Sequence, residues 1–362
     1  MKPPGSEIST AGPRPAAPRL QELDVLRGLA AFAVMLFHYT IRYAEVFAPG
    51  GPPAHANPLG ENAVHLFFMI SGFVIFMTLS KTRTALDFIV SRFSRLYPGY
   101  WAAVLLTFTL VTLAPLPGRT PGLGQLLVNL TMLQSWLRVP PVDGVYWTLA
   151  IELSFYALML AVFLAGWLRR VEWLVVPWLL LEGAWAFLGH RHDLPKIVEI
   201  SFLLKYAHLF LAGILFYRLR FEGSTPLRHA LLAVCFVAHG ALLGPVAALF
   251  ATGFFAAFYL LAFGRLGWLA TRPLVFLGAI SYSLYLVHQN IGFIVLRTLA
   301  AFPPPLQIGA AITVALLLAS LLTFGIERPA LRGIRAWYKA RRFPRPASPA
   351  LMPERGFSPP ES

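Results

Sequence analysis

Charged residues are scarce in this chain. Of its 362 residues only 13% are Asp, Glu, Lys or Arg, whereas 57% are hydrophobic. Soluble globular proteins carry roughly a quarter charged residues, so these charges are too few to cover a water-facing domain. Intrinsically disordered chains are excluded for the same reason, because they are rich in charge and poor in apolar residues. The mean hydropathy of +0.65 therefore predicts a membrane protein.

Cysteine is nearly absent as well. The single one, Cys235, lies within an apolar block, so no disulfide can form within the chain and disulfide-stapled folds are excluded. Alternation of apolar and polar residues, which marks a membrane β-barrel, is missing too. The sequence runs apolar in blocks of about 20 residues, the length that a helix needs to cross the bilayer. We predict an all-α polytopic membrane protein.

The apolar blocks predict a bundle of about ten transmembrane helices and no internal repeat. Lys and Arg cluster between the blocks, with 22 on the side that holds both termini and 6 on the other side. This asymmetry predicts cytoplasmic termini and a multi-pass protein of the cell inner (cytoplasmic) membrane. The net charge of +14 thus comes from the basic residues that orient the chain in the membrane. Because these residues form no single patch, no nucleic-acid partner is expected. The ten spans are predicted at 24–43, 63–80, 98–115, 145–165, 171–188, 200–218, 228–243, 246–263, 275–297 and 307–325.

Outside the spans we predict two tails and one unusual loop. Residues 1–22 are rich in Pro, Ala and Gly and are predicted to be a disordered cytoplasmic tail, without a cleaved signal peptide. Residues 23–330 form the membrane domain, and residues 331–362 are predicted to be a basic, Pro-rich disordered cytoplasmic tail. The loop 116–144 is long and holds an amphipathic stretch from Leu126 to Leu137, which favours a position on the membrane surface.

Ionisable residues within a span are costly and therefore candidates for function. Arg27 and His38 are eleven residues apart in the first span, so they fall about 20° from the same helix face and about 16 Å apart along it. Glu152 in the fourth span lies at about the depth of His38, which predicts a carboxylate–imidazole pair that orients the histidine. The alternative is that Glu152 belongs to a structural network with Tyr156.

Two further groups of residues have polar patterns. Ser281, Tyr285 and His288 share a helix face in the ninth span, which favours a wet cavity, although hydrogen bonding between packed helices is an equal alternative. Arg92 and Arg95, placed in the loop before the third span, suit the binding of phosphate groups, or equally of lipid headgroups.

Six motifs follow one another along the chain. The opening motif is an Arg-x10-His arrangement from Leu23 to His38, and the others are Leu66–Phe73, Arg92–Pro98, Trp147–Tyr156, Ser281–His288 and Glu327–Pro329. In this order they resemble the acyltransferase-3 family of integral membrane O-acyltransferases, and the resemblance covers roughly residues 20–330.

The resemblance implies transfer of an acyl group, commonly acetyl, from cytoplasmic acyl-CoA to a hydroxyl, often on a cell-surface glycan. In that reaction His38 is the expected general base and Glu152 its partner, because an unassisted alcohol is a poor nucleophile. Arg27, Arg92 and Arg95 are expected to hold the CoA phosphates. Contacts with the substrates are expected from Tyr285, His288, Ser281 and Trp147.

Beyond acyl-CoA as donor substrate we expect no permanently bound cofactor and no metal. The expected partners are acyl-CoA, a glycan or other hydroxyl acceptor, and membrane lipids. A membrane transporter of a lipid-linked sugar or an anion is the alternative function, since ten spans with buried charges suit a transporter in outline.

Overall fold

The computed structural model describes residues 20–47, 58–192 and 196–342, which contain helices and their connections and no β-strand. Two π-helical segments, His38–Arg42 and Thr323–Glu327, continue the helices that precede them. The α-helices are α1 (Gln21–Phe37), α2 (Tyr43–Phe47), α3 (Pro58–Leu79), α4 (Ala85–Leu113), α5 (Leu123–Leu130), α6 (Trp147–Leu164), α7 (Val171–His192), α8 (Lys196–Phe202), α9 (Ala207–Glu222), α10 (Pro226–Leu243), α11 (Pro245–Ala262), α12 (Arg272–Thr298), α13 (Pro304–Leu322) and α14 (Arg328–Arg342).

Ten helical segments of the described chain are long and apolar enough to cross a membrane, and each overlaps one predicted span. This confirms the all-α polytopic fold class. The side of the membrane on which the termini lie stays a prediction. The segments are Gln21–Phe47, Leu59–Leu79, Ala85–Leu113, Gly144–Leu164, Leu168–Leu188, Lys196–Glu222, Pro226–Leu243, Pro245–Ala262, Arg272–Thr298 and Pro304–Arg342.

Helix α1 packs tightly against α12. A Cβ atom added to Gly28 would lie 2.6 Å from the backbone nitrogen of Gly278, and one added to Gly278 would collide with the carbonyl oxygen of Asp24. Only glycines allow two helix backbones to approach so closely, which is a common device in membranes. This approach fixes how the polar residues of α1 face those of α12.

Helix α4 begins thirteen residues before the predicted third span. Its start is set by a capping box, in which Asp87 N donates to Thr84 Oγ1 and Thr84 N donates to the Asp87 carboxylate. Pro98 lies inside the helix without ending it. The segment Ser91–Pro98, predicted as a loop, is therefore helical, and that prediction was wrong: α4 begins at its cap before this segment and continues through Pro98.

The segment 116–144 packs along α4 through the end of α5, and the position on the membrane surface predicted for Leu126 to Leu137 stays a prediction. Backbone carbonyls at and just after the end of α5 are open to side-chain donors. Three aromatic donors of α4 satisfy them: Tyr100 OH to Asn129 O (2.8 Å), Trp101 Nε1 to Leu130 O (2.8 Å) and Tyr97 OH to Thr131 O (3.1 Å). These three hydrogen bonds hold the segment after α5 against α4.

Helix α14 occupies the first part of the segment predicted to be a disordered tail. Its residues 331–342 are helical, and Tyr338 OH donates to the Asp87 carboxylate (2.9 Å), to which Arg342 is also bonded. Sequence reasoning missed this helix because its composition is basic rather than apolar. Of the tails predicted at 1–22 and 331–362, residues 1–19 and 343–362 lie outside the described residues, whereas Gln21 and Glu22 begin α1 instead of belonging to a tail.

Candidate active site

Two cavities lie next to each other inside the bundle. The first, which we call the arginine cavity, has a volume of about 500 Å³ and is lined by six arginines: Arg27, Arg92, Arg95, Arg328, Arg332 and Arg335. The second, the histidine cavity, has a volume of about 430 Å³, and its wall includes His38. Val64 and Tyr285 line both cavities, so the two share a wall.

Three arginines of the arginine cavity come from α14 and were not predicted. Arg328, Arg332 and Arg335 are spaced by four and three residues, so they share one helix face. Sequence reasoning counted them only as charges that orient the chain in the membrane. Their helical spacing, which continues the Glu327-Arg328-Pro329 motif, was the signal that was overlooked.

Arg95 is held by a buried polar network. It forms an ion pair with Glu327, whose side chain is 3% exposed, and the Glu327 carboxylate also accepts a hydrogen bond from Ser283 Oγ at 3.0 Å. The Arg95 guanidinium lies 5.2 Å from the centre of the Tyr282 ring. Because Glu327 ends the π-helical segment Thr323–Glu327, this network joins α4, α12 and α13 at the cavity wall.

Arg92 and Arg27 complete the cationic wall. Arg92 lies 5.9 Å from the centres of the Phe88 and Tyr156 rings, and Arg27 is ion-paired with Asp24 one turn earlier in α1. The Nε atoms of both arginines are buried without a hydrogen-bond partner among the described residues. A buried donor without a partner is costly, which favours an anionic ligand with acceptor oxygens in this cavity.

His38 is paired with a second histidine and not with Glu152. His288 Nδ1 lies 3.1 Å from Leu284 O and 2.9 Å from Tyr285 O, and carbonyls can only accept, so this nitrogen carries the proton. His288 Nε2, 3.3 Å from His38 Nδ1, is then an acceptor. His38 Nδ1 therefore donates, to His288 and to Val34 O (2.8 Å). Its Nε2 is left with the basic lone pair.

Glu152 lies on the wall of the arginine cavity. Its carboxylate accepts hydrogen bonds from Tyr156 OH (2.5 Å) and Ser71 Oγ (3.2 Å), which is the structural network that the sequence left as the alternative. Glu152 therefore does not form the predicted pair with His38. Helix α1, which carries His38, packs on α12 and α3, whereas α6, which carries Glu152, packs on α3. The similar depth predicted for the two residues did not imply contact.

The predicted substrate-binding residues are divided between the cavities. Ser281 lines the arginine cavity, with its hydroxyl bonded to Gly278 O, and Trp147 lines the histidine cavity. Tyr285 lines both, and its hydroxyl donates to Val145 O at 3.2 Å. His288 is fully buried behind His38, so it orients His38 and is not part of either cavity wall.

The comparison with protein families identifies the family of the chain. The model of the acyltransferase domain of the acyltransferase-3 family matches residues 20–324, which is most of the chain. The chain belongs to the acyltransferase-3 family. It is also similar to acyltransferase MdmB of Streptomyces mycarofaciens, with 33% identity over 152 residues. That match covers 39% of this chain and 38% of the relative, and no solved structure matches.

A buried carboxylate supports the helix bundle next to His288. Asp143 precedes α6, and its side chain accepts hydrogen bonds from Asn290 N (3.0 Å) and Val145 N (3.2 Å). Burial raises the pKa of Asp143 to about 6, and these two hydrogen bonds together with the Arg119 guanidinium limit the rise. The carboxylate thus fixes the entry of α6 onto α12 close to the histidine pair.

Proposed function

We propose that this acyltransferase moves an acyl group, in the simplest case acetyl, from acyl-CoA to a hydroxyl of a cell-surface or exported glycan. The observation that carries the proposal is the shared wall between a cavity with six arginines and a cavity with an oriented histidine base. Acyl-CoA has phosphates at one end and the reactive thioester at the other, and the two cavities suit these ends.

The arginine cavity suits the nucleotide end of the donor. A phosphomonoester and a diphosphate are recognised best by guanidinium groups, which donate two parallel hydrogen bonds. The buried Nε atoms of Arg27 and Arg92 are donors that such phosphates would satisfy. Glu152, on the same wall, is an acceptor for the amide N–H groups of the pantetheine arm.

The histidine cavity suits the reaction itself. Arg27 and His38 are about 16 Å apart along the first span, a distance that an extended pantetheine arm crosses. The thioester then reaches Tyr285 and His38, where the Nε2 lone pair removes the proton of the acceptor hydroxyl. The acceptor enters the histidine cavity from the other end of the bundle.

The location of the donor implies an orientation. Acyl-CoA is cytoplasmic, so the arginine cavity faces the cytoplasm, and both termini lie on that side of the cell inner (cytoplasmic) membrane. The positive-inside distribution of Lys and Arg supports the same orientation. Anionic lipid headgroups at that surface are further partners for the exposed basic residues of α14.

The proposal is tested by mass spectrometry of surface glycans from the source strain with the wild-type protein, without it, and with the variant His38→Ala. We expect glycans that carry one added acyl group only with the wild type, because His38→Ala has no base. Membrane levels of the variant, measured by immunoblotting, provide the control. An acylated glycan in the deletion strain, or in the His38→Ala strain at wild-type levels, would contradict the proposal.

A further inference from the structure

Arg119 brings a guanidinium into the wall of the histidine cavity from a turn between helices. The turn is closed by a hydrogen bond from Arg119 N to Leu116 O at 3.0 Å. Its centre is Pro117-Gly118, with Gly118 at a φ of +70°, which is the combination that a type II turn prefers. Leu116 is 1% exposed in the core, so the turn is anchored and the backbone of Arg119 is fixed.

The side chain of Arg119 is held by α12 next to the histidine pair. Its Nη1 donates to Asn290 Oδ1 at 3.1 Å, and Asn290 Nδ2 donates in turn to Val142 O at 3.0 Å. The guanidinium lies 5.5 Å from the centre of the Phe293 ring, which is itself 6.4 Å from the His38 ring. Helix α12 therefore orients both the base, through His288, and the guanidinium, through Asn290.

Arg119 keeps hydrogen-bond donors available in the histidine cavity. Within the part of the chain that the structure describes, its one side-chain hydrogen bond uses Nη1, and a guanidinium has five N–H groups. Arg42, the other arginine in the wall of this cavity, is ion-paired with Glu45 at 2.8 Å. Arg119 is thus the better placed of the two to donate to a reacting group.

We propose that Arg119 is a catalytic residue that stabilises the negative charge formed on the thioester carbonyl oxygen during acyl transfer. This inference rests on the proposed function, which supplies the thioester and the acceptor. A fixed guanidinium in the wall of the cavity that holds the base can donate to a developing charge, and such preorganised donors are among the strongest contributions to catalysis. The anchored turn and Asn290 provide that fixation before the substrate arrives.

The acceptor hydroxyl gives its proton to His38 Nε2 while its oxygen forms a bond to the thioester carbon. The electron pair of the C=O π bond moves to the oxygen, where Arg119 donates hydrogen bonds to the resulting anion. The pair then returns, the C–S bond breaks, and the leaving thiolate takes the proton from His38 Nε2. Nothing is oxidised or reduced, and the products are the acyl ester and CoA thiol.

The test measures kcat and KM in variants of the purified protein in lipid nanodiscs. Radiolabelled acetyl-CoA is the donor, and surface polysaccharide from the source strain deleted for this protein is the acceptor. We expect Arg119→Gln to lower kcat by about 100-fold, as loss of a transition-state donor does, with KM for acetyl-CoA changed by less than about 3-fold. Arg119→Lys keeps the charge without the forked donor, so an intermediate loss of about 10-fold is expected.

Two controls separate catalysis from a merely structural role. Arg297, exposed at the end of α12 and outside both cavity walls, gives the matched variant Arg297→Gln, for which no change in kcat is expected. Guanidinium ion added to the Arg119→Ala variant is expected to restore part of its kcat. It would not do so if Arg119 only stabilised the turn. Size-exclusion profiles and thermal melting test whether each variant is folded. If Arg119→Gln or Arg119→Ala is not folded, Arg119→Lys alone is measured.

The outcomes are distinct. A kcat within about 2-fold of wild type in folded Arg119→Gln or Arg119→Lys, or an effect confined to KM for the polysaccharide, would overturn the role of Arg119. If the wild type itself does not transfer acetyl from acetyl-CoA, the proposed function fails instead. Transfer by the wild type together with a normal Arg119→Gln variant leaves the proposed function intact and removes only this inference.

Discussion

At the scale of single residues, backbone carbonyl oxygens decide which ring nitrogens of the histidine pair carry a proton, because a carbonyl oxygen can only accept a hydrogen bond. Two backbone carbonyls fix the proton on His288 Nδ1, and this places the lone pair of His38 on Nε2. Tyr39 OH donates to His288 O at 2.8 Å and ties the same two helices at this level. His38 also begins the π-helical segment His38–Arg42, a feature that is frequent at functional sites.

The histidine pair gives a prediction about His288. Replacement by alanine removes one of the two acceptors for His38 Nδ1–H, leaves only Val34 O and loosens the orientation of the ring, so we expect His288→Ala to lower kcat by about 10-fold to 100-fold. His288→Gln is expected to lose less, because its amide oxygen is an acceptor too. Steady-state kinetics with radiolabelled acetyl-CoA measure both, and His229→Gln, whose imidazole bonds to Ser224 and Tyr259, is the control. Equal activity of His288→Ala and wild type would show that Val34 O suffices.

At the scale of elements, the helices that depart from the sequence prediction are the ones that complete the cavities. Because α4 begins early, Arg92 and Arg95 lie on one face of this helix, and α14 adds a second face with three arginines. Both elements hold charged residues, which a search for apolar blocks does not register. Their start and stop are set by local contacts, such as the Thr84–Asp87 capping box.

The basic face of α14 predicts donor binding. We expect the double variant Arg332→Gln/Arg335→Gln to raise KM for acyl-CoA by about 10-fold or more and to leave kcat nearly unchanged, because phosphate contacts contribute equally to ground state and transition state. Arg341→Gln is the matched control, since Arg341 is exposed and lies 4.4 Å from the centre of the Trp337 ring. The dependence of the initial rate on acetyl-CoA concentration measures the effect. A rise in KM for Arg341→Gln of the same size would mean that α14 acts only through its net charge.

At the scale of the whole molecule, the ten spans place two cavities against a common wall of Val64 and Tyr285. The arrangement joins residues from α1, α3, α4, α6, α12 and α14, which are far apart in the chain. In the proposed function, this wall is where a charged donor and a glycan acceptor would meet without either crossing the whole bilayer. The proposed orientation is what makes this geometry useful.

Orientation is testable because the chain has one cysteine and that cysteine is buried. Arg265 follows α11 and Arg297 lies at the end of α12, so the two positions are at opposite ends of the bundle, and both are exposed. In intact cells, a membrane-impermeant thiol reagent is expected to label Arg297→Cys and not Arg265→Cys. After the cells are opened, both should react, which controls for accessibility. The reverse pattern of labelling would place the arginine cavity outside and contradict the proposed donor side.

The sequence by itself determined the fold class, the number of spans and the family, because apolar blocks of membrane length and ordered motifs are local signals. It also determined that Arg27 and His38 share a helix face, since helical geometry fixes angles within one element. It did not determine which groups on different helices meet. Glu152 and His38 were predicted at similar depth, yet α1 packs on α12, so His38 is hydrogen-bonded to His288 instead. Only tertiary packing, set by close approaches such as that of Gly28 to Gly278, decides partners across helices.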